Sequence, residues 1–203
     1  MTRREALHSV SLLFGGAIVG GHLFLEGCGS PETTQAAGFF TAEELALLDE
    51  VGETILPETP GVPGAKAANI GEFMQTIVAD CYSEEEQKIF RAGMKDLEAK
   101  AQATYQGSFM SLATEERLEL LNTLNAEAIA YAENLPEEEL IERALDSRLD
   151  RLPPHYFEMM RQLTIWGYFS SEVGATQALR YLEVPGKYDG NYPYNEGDKA
   201  WAL

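Results

Sequence analysis

From Thr41 to Ser170 apolar residues return every third or fourth position, and nowhere do they alternate with period two over the length of a strand. Only a 3.6-residue period puts such residues on one face, so the chain is restricted to helices packed on helices, an all-α domain. Thr41-Ala42-Glu43-Glu44 has the form of a capping box, in which hydroxyl and carboxylate each satisfy a free backbone N–H. A helix over 42–56 is expected behind it, with Leu45, Leu48, Val51, Ile55 and Leu56 inward and Pro57 as its stop. Residues 57–69 hold three Pro and two Gly and read as a stiff surface loop rather than an element. Ile70, Phe73, Met74, Ile77, Val78 and Cys81 mark a second helix. Ser83-Glu84-Glu85-Glu86 opens a third, through Phe90, Met94, Leu97 and Ala101. A fourth begins near Thr114, with Leu118, Leu121, Leu124 and Ile129 expected inward.

Residues 136–151 are polar except Leu140, Ile141, Leu145 and Leu149, which suits a short peripheral helix. Pro153-Pro154 resets the chain, and His155 to Ser170 is apolar on most of its circumference, the mark of a central helix that others cover. Gly167 and Gly174 bracket a tight corner, and Ser171 is placed to cap a short helix running through Gln177 to Tyr181. From Glu183 to Leu203 no helical period survives, yet Tyr188, Tyr192, Tyr194 and Trp201 occur there. This irregular aromatic C-terminal tail needs a surface to lie on, either its own helices or a partner.

The first 28 residues read as an address. Arg3-Arg4 precedes a glycine-rich apolar run from Val10 to Leu25, 16 residues against the roughly 20 that span a bilayer as a helix. Positive end, apolar middle and small residues at the cut site are the order of an export signal. The paired arginines and weakly apolar middle resemble the twin-arginine signal, which carries folded cargo. Leu25-Glu26-Gly27-Cys28 resembles a lipobox, with Glu26 as its departure, and Cys28 is the lipidation candidate; ordinary cleavage near Gly27 is the alternative. Residues 29–39 are then a flexible tether and 40–203 the helical domain. The expected location is periplasmic, at the membrane surface if Cys28 carries lipid.

The chain holds 33 Asp+Glu against 15 Lys+Arg, a formal charge of -18. A cut at Cys28 leaves that value unchanged, because Arg3 and Arg4 depart with Glu5 and Glu26. A field of this sign repels phosphate backbones, so nucleic acid is excluded as a partner. Cys28 and Cys81 are the two cysteines, and Cys81 is expected to be buried on its helix, the alternative being a bond to another subunit. His8 and His22 lie in the signal, leaving His155 for the mature body, too few for a zinc site or a di-iron carboxylate site. No P-loop, Gly-x-Ser-x-Gly or His-Glu-x-x-His occurs. Asp189-Gly190-Asn191 fails as a calcium loop at Pro193 and Ala200. His155 with Glu158 is the one pair left to consider for acid–base work, and a histidine at a helix start is ordinarily a cap or a packed residue.

Several segments together resemble the gluconate 2-dehydrogenase subunit 3 family: the arginine pair, Ile55-Leu56-Pro57-Glu58-Thr59-Pro60-Gly61 leading into Ala65 to Phe73, Leu163-Thr164 with the run Gly167 to Gln177, and Val184 to Gly190. The resemblance implies a small, non-catalytic subunit that exports, assembles and stabilises a dehydrogenase acting on a sugar or sugar acid. It implies a large flavoprotein partner of the glucose–methanol–choline type holding FAD, with a multihaem cytochrome c as a possible third subunit. No catalytic, cofactor or metal residue is then expected in this chain. The candidates for the partner interface are Trp166, Tyr168, Glu172, Tyr188, Tyr192, Tyr194 and Trp201, with Phe169 assigned to the core. The competing reading is a free-standing periplasmic lipoprotein that binds a small ligand, such as a sugar, among its aromatic side chains.

Overall fold

The computed structural model describes residues 38–135, 153–184, 186 and 189–202. Among them are five α-helices: α1 (Ala42–Ile55), α2 (Ile70–Cys81), α3 (Glu84–Tyr105), α4 (Thr114–Glu133) and α5 (Tyr156–Ser170). The expectations over 1–37 and 136–152, including the export signal, Cys28 and the short peripheral helix, lie outside the described residues.

Helix starts follow the capping chemistry. The Thr41 hydroxyl accepts the Glu44 N–H at 3.2 Å while the Glu44 carboxylate accepts the Thr41 N–H at 2.8 Å. Ser83 and Glu86 repeat the arrangement at 3.3 and 2.8 Å. Each such cap stabilises its helix by about 1 kcal/mol. At α5 the cap is His155, whose Nδ1 accepts the Phe157 N–H at 3.2 Å.

Each of these five helices contributes to one core. Leu48, Val51, Ile70, Met74, Val78, Phe90, Leu97, Leu124 and Met160 are fully buried there. α5 packs against α1, α2, α3 and α4, which makes it the central helix that its composition predicts. Its approach to α3 depends on Gly93, because a Cβ at that position would overlap Cβ and Cγ of Tyr156. Where α5 begins, the Tyr156 hydroxyl donates to Asp96 at 2.7 Å and Lys100 pairs with Asp96 at 3.1 Å. The chain enters this body at Phe39 and Phe40. The Arg91 guanidinium lies 4.0 Å from the Phe39 ring centroid and donates to the Phe39 carbonyl, while Phe40 is buried against Phe90.

The structure departs from the sequence expectations at several places. Leu118 and Ile129 are each 49% exposed, while Leu121 and Leu124 are buried as expected and are joined by Leu120 and Ala128. At about 100° per residue, positions 120, 121, 124 and 128 fill the one arc of the helix that meets the core, and 118 and 129, three turns apart, lie beyond its edge. Cys81 is exposed. It is the last residue of α2, the chain leaves it extended through Tyr82, and the Tyr82 ring packs toward Phe90 at 6.5 Å. The loop over 57–69 contains a 3-10 turn, Ala65–Ala68, ended by Asn69 at φ 52°. After Ser171 the helical segment finishes as a π-helical turn, Gly174–Ala178, rather than reaching Tyr181. Cover over α5 is also incomplete, which bears directly on function.

Candidate docking surface

Helix α5 has two unlike sides. Tyr156, Phe157, Met159, Met160, Leu163 and Tyr168 face the core. In the last two turns Ile165 and Phe169, each 38% exposed, and Trp166, 55% exposed, face outward. Spacings of one, three and four residues put these three on a single stripe. The Trp166 ring meets Phe73 of α2 edge to face, centroids 5.3 Å apart at 87°. Phe73 is seated there by Gly167, where a Cβ would lie 2.5 Å from the Phe73 ring. The indole is therefore positioned by the fold while more than half of it stays in solvent.

Tyr168 is not part of this surface, contrary to its assignment from sequence. It is 3% exposed, and its hydroxyl donates to the Pro63 carbonyl at 2.5 Å. A carbonyl in that loop needs a donor, and a phenylalanine offers none, so the tyrosine turns inward and its neighbour Phe169, assigned to the core, turns out. The two rings meet edge to face at 5.1 Å. Beyond them the Ser171 hydroxyl donates to the Tyr168 carbonyl at 2.7 Å and accepts the Gly174 N–H at 3.0 Å, which fixes the corner carrying exposed Glu172. Glu172 is the sole charge between positions 162 and 179, and α2 alongside carries exposed Glu72 and Asp80 with no Lys or Arg. The apolar stripe thus has an acidic border.

The remaining interface candidates form a second group. Tyr192 and Trp201 meet edge to face at 5.5 Å, and Tyr194 is 77% exposed. Tyr188 lies outside the described residues. What holds this group is Arg180, which the sequence reading passed over. Its guanidinium lies 5.4 Å from the Tyr192 centroid and 4.8 Å from that of Trp201. The signal was present, because Arg180 is the only basic residue between Arg161 and Lys187 and it precedes an aromatic tail. Phe73 and Ile165 were likewise missed as parts of the outer stripe, since their spacing alone reads as core.

The groups with chemical potential are engaged structurally. His155 spends Nδ1 on the Phe157 N–H, and burial, aided by the Lys100 charge and opposed by Glu127 and Asp96, holds its pKa below the usual histidine value. Glu158 is paired with Arg161 at 2.5 Å and accepts from Gln162 at 2.8 Å. The Asp96 carboxyl is pushed up by burial, but hydrogen bonds from Tyr156 and Lys100 outweigh that and hold it below the usual range. Among the described residues no three His, Cys, Asp or Glu side chains group as a metal requires, and no helix is long and apolar enough to cross a membrane. A contiguous exposed apolar stripe bordered by one sign of charge is the chemistry of recognition.

A family model described as gluconate 2-dehydrogenase subunit 3 matches residues 42–186. No curated protein and no solved structure gives a significant match.

Proposed function

The chain belongs to the gluconate 2-dehydrogenase subunit 3 family, and from that premise we propose that it is the non-catalytic small subunit of a periplasmic FAD-dependent sugar or sugar-acid dehydrogenase. Its partner is a flavoprotein of the glucose–methanol–choline type, which it exports, assembles and stabilises. FAD and the reacting substrate then reside in the partner, and a multihaem cytochrome c accepts the electrons. The observation that carries this reading is the outward stripe of Ile165, Trp166 and Phe169 on the central helix, in a body whose histidine is spent on a helix cap.

The physical logic runs through α5. Its inner face is locked into the core, so its outer face is rigid, and a rigid aromatic anchor loses little side-chain freedom when a partner covers it. Buried tryptophans at interface centres commonly contribute about 2 kcal/mol or more. Arg3 and Arg4 suit a signal for cargo that is already folded with its flavin, and lipid at Cys28 would hold the assembly at the membrane surface.

The test is co-expression with a flavoprotein dehydrogenase that lacks its own export signal. Replacing Arg3 and Arg4 with Lys is expected to leave both subunits in the cytoplasm, and undiminished periplasmic dehydrogenase activity would refute the carrier role. The lipoprotein reading has its own footing in the concavity of about 650 Å³ lined by Arg180, Tyr192, Tyr194 and Trp201. Against it, the Arg180 guanidinium already lies over the Tyr192 and Trp201 rings, the faces a sugar ring would stack on. Saturable sugar binding by the isolated mature chain would favour it.

A further inference from the structure

The segment that leaves the helical body at Arg180 returns to that same residue. The Arg180 N–H donates to the Ala200 carbonyl at 2.7 Å, and the Ala202 N–H donates to the Arg180 carbonyl at 2.9 Å, so Arg180 and Trp201 form a parallel bridge. The guanidinium packs against the Trp201 and Tyr192 rings and pairs with Asp198 at 3.4 Å. Asp198 in turn accepts the Asn195 N–H at 2.9 Å and closes a turn, and the Lys199 ammonium donates to the Gln177 carbonyl. One residue therefore supplies the backbone edge, the cation for two rings and one half of an ion pair.

An aromatic segment fastened to its own body ordinarily hides its rings. Here the fastening holds residues 192–202 at Arg180 but leaves Tyr194 77%, Tyr192 52% and Trp201 44% exposed. Ordering a segment before it binds removes an entropic cost that a loose tail would meet on association. Residues 181–203 carry Glu183, Asp189, Glu196 and Asp198 against Lys187 and Lys199, which is four negative charges less two positive, a net of -2 within a chain of -18. A second copy of this chain or an anionic lipid surface would bring like charge to that segment.

We propose that Arg180 is a positioning residue that clasps the C-terminal segment into a preformed strap, whose exposed Tyr192 and Tyr194 dock in an apolar cleft rimmed by Lys or Arg on the flavoprotein subunit. This deepens the subunit reading above and rests on it. Arg180 touches no reacting atom; it acts by holding the strap, and its cation–π and ion-pair contacts set the strap's shape.

The experiment compares the mature wild-type chain with Arg180→Gln, Arg180→Lys and Tyr194→Ala. Amide hydrogen exchange at Arg180 and Ala202, helix melting by circular dichroism, and affinity for the purified flavoprotein are each measured. Arg180→Gln is expected to speed exchange at Ala202 at least tenfold, leave the helix melting unchanged and weaken flavoprotein binding at least tenfold. Arg180→Lys, which keeps the charge, is expected to lie between, while Tyr194→Ala weakens binding with exchange unaltered. Unchanged exchange in Arg180→Gln, or an open strap that still binds within twofold of wild type, overturns the inference. Wild type that does not bind the flavoprotein overturns the subunit reading and the docking role together, a result distinct from failure of the variants alone. Dimerisation or binding to anionic vesicles that depends on Tyr194 overturns the choice of occupant.

Discussion

Gly93→Ala tests how closely the central helix is seated, because two effects of known sign oppose each other there. In the interior of a helix, Ala in place of Gly stabilises by about 1 kcal/mol. At position 93 the added methyl overlaps Cβ and Cγ of Tyr156, the root of the ring rather than its movable end. Inserting a methyl group into a packed core typically costs about 1–3 kcal/mol. Relief by swinging the ring breaks the 2.7 Å bond from Tyr156 to Asp96, a further cost of about 1 kcal/mol. The propensity gain is outweighed, and a net loss of about 2 kcal/mol is expected, or a fall in Tm of about 4–8 °C for a body of this size. Urea denaturation of the mature chain followed at 222 nm measures it. In a Tyr156→Gly background both overlapping atoms are gone and the same Gly93→Ala change should stabilise by about 1 kcal/mol, a reversal of sign within one double-mutant cycle. Stabilisation by Gly93→Ala in the wild-type background would refute the close approach of α3 and α5.

Three further outcomes follow from the same geometry. His155 has a folded pKa below 6.5, so its neutral form is favoured in the native state and the unfolded chain binds the extra proton. Stability from this group is complete above pH 6.5 and declines as pH falls toward the folded value; His155→Asn, which keeps a capping acceptor, should remove that part of the pH dependence of Tm. Asp96, held below 3.8, contributes above that value and loses its contribution only at lower pH, so the two windows separate in one titration. Cys81, exposed at the end of α2, should react with an aromatic disulfide reagent at full rate without denaturant; reaction that requires unfolding would restore the buried placement. Met160→Ala, which empties a fully buried site on α5, should cost about 2–5 kcal/mol in urea denaturation, and a loss under 1 kcal/mol would contradict the central position of the helix.

Helix existence was legible because caps and period are local. Thr41, Glu44, Ser83 and Glu86 announce α1 and α3 without reference to the rest of the fold, and the structure places both starts there. Which side of a helix meets the core was legible only where one apolar stripe existed. α4 carries apolar residues on two lines, and its neighbours chose between them. Tyr168 and Phe169 show the same limit at the candidate surface: adjacent aromatics differ by about 100° around the helix, and the choice was decided by a carbonyl 105 residues earlier, at Pro63. Arg180 became visible only when the tail returned to it, since a bridge and two ring contacts across some twenty residues leave no periodic trace. Trp166 was identified from its company in the sequence, but its partner ring Phe73 comes from a different helix.

Titrating the purified flavoprotein subunit with the mature chain and with its Trp166→Ala variant measures whether the outer stripe of α5 is the docking face. The stripe on α5 predicts saturable binding by wild type and a loss of about thirtyfold in the variant, the equivalent of about 2 kcal/mol, with the helix melting curve shifted little because Trp166 is 55% exposed. Equal affinity of the two proteins, or no binding by either, would contradict it.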